Sequence, residues 1–162
     1  TLHHVIQAAM GWHDAHLHAF RVGTLNVGVP DPEFDDPEDR VAKETFLRLD
    51  RLLTTDSTFT YRYDFGNGWE HRIRVEQVRA RDDRDGDGLI AWVEGGERAC
   101  PPEDSGGVGQ YQEFLASWEN DPYGEETEGV RTWAGLDFDP ARFDRPAANA
   151  AIDRMFWNRW VK

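Results

Sequence analysis

Cysteine is nearly absent: Cys100 is the only one in 162 residues. That excludes an intramolecular disulfide and any scaffold built on several of them. Long apolar runs are lacking too, and none approaches the roughly 18 residues of a membrane span. The opening Thr1-Leu2-His3-His4 lacks the basic-then-apolar pattern of a secretory signal. A cytoplasmic protein is therefore expected, with no membrane partner. Basic residues are scarce: 18 Lys and Arg face 31 Asp and Glu, a formal charge of −13. Generic duplex binding relies on neutralising phosphates with Lys and Arg, so the balance argues against nucleic acid. It suits solubility, cations or basic partners. No phosphate-binding glycine loop is present, and Ser57 and Thr58 sit in no nucleophile elbow. No internal repeat or low-complexity tract interrupts the chain.

Aromatic residues are abundant. Seven tryptophans are roughly three times ordinary usage. With 39% hydrophobic residues, the chain can bury a core, and its length suits one domain spanning 1–162. Charge is uneven. Six acids crowd Asp31–Asp39, and ten acids with the single base Arg131 fill Glu103–Asp139.

Periodicity gives a coarse fold. Thr1 is placed to cap a helix with the stripe Leu2, Val5, Ile6, Ala9, which Gly11 ends. Strands are expected over 16–22 and 24–29. A helix is expected to start at Asp36-Pro37 and to run through Ala42, Thr45, Phe46, Leu49, Leu52 and Leu53. Thr58–Phe65 alternates, Gly66-Asn67-Gly68 turns, and the return strand carries Trp69, His71, Ile73 and Val75 on one face. Leu89–Val93 reads as another strand. Helical stripes follow at Tyr111–Trp118, Glu125–Trp133 and from Pro146, the last with Ile152, Met155, Phe156 and Trp160 inward. Hairpins interleaved with helices predict an α+β fold: an antiparallel or mixed sheet packed with four to five helices. A strand preceding Thr1 is expected, since Thr1 itself already begins a helix.

Four segments carry a resemblance. They are Leu2–Trp12 with His16–Phe20, Tyr61–His71, Cys100–Gly107 and Phe138–Asp144. In order and spacing they resemble the plasmid pRiA4b ORF-3-like family, also labelled the TnpR-type passenger protein of an insertion element. The resemblance implies an α+β domain of bacterial chromosomes, plasmids and mobile elements, and it implies no reaction. Ser105 stands where many members carry a second cysteine.

Four constellations could carry chemistry. Asp83, Asp85, Asp87, the Leu89 carbonyl and Glu94 match the calcium-loop spacing D-x-D-x-D-G-x5-E. The flanks read as strand and Gly95-Gly96 rather than helices, so an acidic hairpin tip is the competing reading. His16, His18 and His71 fall on strand faces that could converge with Glu103 or Asp104 on zinc, or act as an acid/base pair. Core histidines satisfied by their neighbours are the alternative. Cys100-Pro101-Pro102-Glu103-Asp104 forms a rigid turn before a helix, suited to partner contact or to shaping the chain. Cys100 as a nucleophile would need a base such as His71. Finally, Asp64 lies beside an aromatic hairpin whose rings, with Arg62, Arg72 and Arg74, could stack on single-stranded nucleic acid; a core on one face with cross-strand ion pairs on the other is the alternative. The sequence favours a non-catalytic interaction domain with a protein partner. A metal-dependent protein using His18, His71, Glu103 and Asp104, and single-strand binding, are the alternatives.

Overall fold

The computed structural model describes residues 1–30, 41–80, 91–135 and 137–158. It is an α+β fold with, among the described residues, one five-stranded mixed sheet and five α-helices. The chain forms two compact units. One is residues 16–86 and holds the sheet; the other joins residues 1–15 to 87–162 and is helical. Among the described residues no helix is long and apolar enough to cross a membrane.

In the sheet unit the strands are β1 (His18–Val22), β2 (Leu25–Gly28), β3 (Val41–Lys43), β4 (Thr58–Tyr63) and β5 (Trp69–Arg74), in the order β3-β2-β1-β4-β5. All neighbours are antiparallel except β2 and β3. The period-2 pattern of Thr58–Tyr63 works as read. Phe59, Tyr61 and Tyr63 are buried, and their registers place Phe20 and His71 opposite Tyr61, and His18 and Trp69 opposite Tyr63. Same-face residues on adjacent strands stand about 5 Å apart, so these rings pack into one aromatic layer. Phe20 and Tyr61 lie 5.0 Å apart, centroid to centroid.

The turn between β4 and β5 depends on Asp64. Its φ of 53° is left-handed, a conformation that Asp tolerates through local hydrogen bonds. Its carbonyl accepts from Asn67 and Gly68, and its carboxylate accepts from the Asn67 backbone and side chain.

The helix expected through Ala42–Leu53 does not form. Val41–Lys43 pairs in parallel with β2, Glu44–Phe46 makes one 3-10 turn, and only Leu49–Leu52 is α-helical (α2). Leu47 and Arg48 are extended between them. Hydrogen bonding to the sheet overrides an apolar spacing that also fits a helix. The helix start at Asp36-Pro37 lies outside the described residues.

The helical unit contains α1 (Leu2–Met10), α3 (Gly107–Asn120), α4 (Glu125–Ala134) and α5 (Arg145–Trp157). α1 packs on α5, and α3 on α4. Gly11, at φ 75°, closes α1, and Trp12 donates back to the Gln7 carbonyl. The buried residues of α1 are His3 and Gln7 rather than the apolar stripe. They hold Asp14: the His3 ring lies 2.6 Å from its carboxylate, and Gln7 Oε1 accepts its N–H. Burial therefore selects a satisfied polar pair. Asp144 caps α5 by accepting from Ala147 N–H at 2.9 Å, with Pro146 in the first turn. Ile152 and Met155 are buried, as read; Trp160 lies outside the described residues.

The described part of the expected strand Leu89–Val93, residues 91–93, is not a strand. Asn149 of α5 takes the place of a neighbouring strand. Its side chain accepts from Val93 N–H at 2.7 Å and donates to the Val93 carbonyl at 3.0 Å.

Candidate functional site

The sheet unit carries four of the residues singled out above. His18 Nε2 lies 3.0 Å from Glu44 Oε2, a partner supplied by the 3-10 turn. His16 Nε2 lies 3.8 Å from the Asp64 carboxylate, and its ring meets Tyr63 edge-on. His71 lies 5.7 Å from Tyr61, and His18 lies 6.2 Å from the same ring. Strand β4 thus separates His18 on β1 from His71 on β5. Burial lowers the pKa of His71, against a smaller opposing effect of the Tyr61 backbone. It is a neutral ring in an aromatic layer.

The helical unit carries Cys100, Glu103 and Asp104. The two prolines shape a loop fastened to the end of α1. Trp12 Nε1 donates to the Pro101 carbonyl at 2.9 Å, and His13 N–H donates to Glu103 at 2.6 Å. Asp104 is left-handed and exposed. Cys100 Sγ lies 3.6 Å from Met10 Sδ. Burial, with Glu103 adding to it, pushes the Cys100 thiol up to about 12. A thiol so protonated is a poor nucleophile at neutral pH. Of the calcium-loop residues, Asp83, Asp85, Asp87 and Leu89 lie outside the described residues. Glu94 is described, and its carbonyl accepts from Arg145.

Beside Cys100 the helical unit opens a cleft of about 840 Å³. The last turn of α1 (Ala8, Ala9, Met10) and the start of α5 (Ala147, Ala148, Ala151) give one wall of small side chains. Trp118, Tyr123, Phe138 and Phe143 supply aromatic surface. Trp118 meets Phe138 edge-on at 6.3 Å, on a cluster that continues through Phe114 to Tyr111. Phe143 lies flat over Gly96, where a Cβ would come within 2.8 Å of its ring. The charged lining is Arg131, Arg142, Asp137, Asp139 and Asp144. Arg131 stacks 4.6 Å over Tyr123, and Arg142 pairs with Asp144 at 3.2 Å. Asp139 accepts from Ala141 N–H at 2.9 Å.

Sequence reasoning singled out Cys100 from this cleft but missed its walls. The quoted segment Phe138–Asp144 was the available signal, because it supplies five of the lining positions.

The plasmid pRiA4b ORF-3-like protein family matches residues 1–147. The chain belongs to that family. Within it, the chain is similar to "Uncharacterized protein y4hQ" of Sinorhizobium fredii (strain NBRC 101917 / NGR234). The two are 38% identical over 156 residues, covering 95% of this chain and 77% of that protein. It is also similar to a solved structure, the protein of unknown function MM3350 from Methanosarcina mazei Go1. There the TM-score is 0.73 at 34% identity, covering 90% of this chain and 79% of the other.

Proposed function

We propose that this protein is a non-catalytic recognition domain, an accessory cytoplasmic protein of bacterial plasmids or mobile elements, and that its helical unit takes a segment of a protein partner. The cleft of about 840 Å³ carries this reading. Its size falls in the range of ligand sites, and its lining combines apolar and aromatic surface with a few polar groups. The half-buried Trp118, Phe138 and Phe143, beside small residues and the 80% exposed Tyr123, suit a partner's side chains. The one thiol in the wall is protonated and packed on Met10, which suits binding rather than covalent chemistry. His71, the base candidate, is half-buried in the aromatic layer, where burial disfavours its charged form.

The test is photo-crosslinking in the native host. A benzoylphenylalanine in place of Met10 is expected to give one discrete protein adduct. The same group in place of Glu70, exposed on β5, is expected to give none. Ala147→Trp blocks the cleft from an exposed position and should abolish the Met10 adduct. An adduct that survives Ala147→Trp, or equal labelling from both positions, would contradict the reading.

A further inference from the structure

The charge and helix geometry of the cleft point to the chemistry of its occupant. Three helices line it with residues of their carboxyl-terminal turns: Ala8–Met10 of α1, where Gly11 and Trp12 N–H already satisfy the Ala8 and Gln7 carbonyls, Trp118 of α3 and Arg131 of α4. The end of a helix carries roughly half a negative charge, from carbonyls without an intrahelical partner. Among the described residues, α5 alone brings an amino-terminal turn, and Asp144 already caps it. The ionised side chains lean the same way. Arg142 is compensated by Asp144. That leaves Asp137 and Asp139 against Arg131. Of the ten acids between Glu103 and Asp139, Asp137 and Asp139 line the cleft.

The aromatic surface adds a second attraction. Ring faces are negative at their centres and hold cations within about 6 Å. The cleft already does this internally, since the Arg131 guanidinium sits 4.6 Å over Tyr123. An anion would face the helix ends and two carboxylates, with one arginine already on a ring. A cation finds carboxylates, carbonyl ends and the Trp118 and Phe138 rings together.

We propose that the occupant is a basic segment of a partner polypeptide, whose Arg or Lys side chains enter the cleft between the aromatic rings and Asp137 and Asp139. This rests on the recognition reading above and names the chemistry that the cleft selects. The net charge of −13 complements such a partner at long range, so association should slow as salt rises.

The test uses the full chain and isothermal titration with three probes: the capped peptides Ala-Arg-Ala-Arg-Ala and Ala-Glu-Ala-Glu-Ala, and spermidine. The arginine peptide is expected to bind, weakening as salt rises from 50 to 300 mM. The double variant Asp137→Asn/Asp139→Asn is expected to lose about tenfold in affinity, at the upper end for two exposed charge contacts. Both positions are exposed, so the fold should survive, and circular dichroism checks it. Equal binding of the glutamate peptide, or no change in the double variant, would overturn the charge argument. Spermidine binding as tightly as the peptide would make a free polyamine the occupant and overturn the assignment to a polypeptide. If the arginine peptide fails while the Met10 adduct forms and Ala147→Trp removes it, the basic segment is wrong and the recognition reading stands. If both fail, both fall.

Discussion

Removing the Asn149 amide should separate the last helix from residues 91–93, which it holds. Asn149 makes two bonds to one residue 56 positions away, 2.7 Å to Val93 N and 3.0 Å to Val93 O. Each such bond contributes about 1 kcal/mol net. Asn149→Ala therefore loses about 2 kcal/mol. Alanine is the better helix former and returns about 0.5 kcal/mol at this position in α5. The net cost is about 1.5 kcal/mol, a fall in Tm of about 3–6 °C for a chain of this size. Asn149→Asp keeps the acceptor for Val93 N–H and loses the donor, so it should fall between wild type and alanine at a pH where the carboxylate is ionised. Thermal unfolding followed at 222 nm, with a urea titration to confirm the order, measures both. If Asn149→Ala is as stable as wild type or more so, helix propensity outweighs the clasp, and residues 91–93 are held by something else.

Three further outcomes follow from local geometry. Cys100, pushed up to about 12, should react with iodoacetamide at pH 8 about fiftyfold more slowly in the native chain than in urea, after allowing for the greater intrinsic nucleophilicity of a high-pKa thiol; equal rates would contradict its burial. His71 has its folded pKa lowered by burial, so the unfolded chain binds the proton more readily, and stability is lost as pH falls below about 6.5. His71→Leu should flatten that slope relative to wild type in urea titrations at stepped pH, and an unchanged slope would remove His71 as its source. Gly96→Ala places a methyl within 2.8 Å of the Phe143 ring, whereas Gly95→Ala meets nothing within 4 Å. The first should cost about 1–3 kcal/mol and shift the Phe143 ring resonances, the second should do neither, and equal effects would mean the ring is not seated on Gly96.

The hairpin of β4 and β5 was legible because one face is buried and one is wet, which writes period 2 directly into Thr58–Arg74. The segment Ala42–Leu53 was not, because its apolar spacing satisfies a helix while Val41–Lys43 is needed as a partner for β2. That misreading also hid Glu44, the carboxylate that meets His18. In α1, a search for an apolar stripe overlooked His3 and Gln7, whose burial depends on Asp14 beyond the end of the helix. The cleft left the weakest trace. Its alanines on α1 and α5 matter by being small, and small residues carry no chemical signature in a sequence. Its carboxylates, Asp137 and Asp139, read as part of a general acidic run until the structure set them beside Trp118 and Phe138.

The central claim is that the cleft of the helical unit is the recognition surface. Backbone amide chemical shifts of ¹⁵N-labelled protein, titrated with the Ala-Arg-Ala-Arg-Ala peptide, test it most directly. Saturable shifts clustered in residues 8–11, 118–123 and 137–148, lost in Ala147→Trp, are expected. Shifts concentrated on β4 and β5 between residues 58 and 74 would contradict it, whereas none at millimolar peptide would contradict the basic occupant alone.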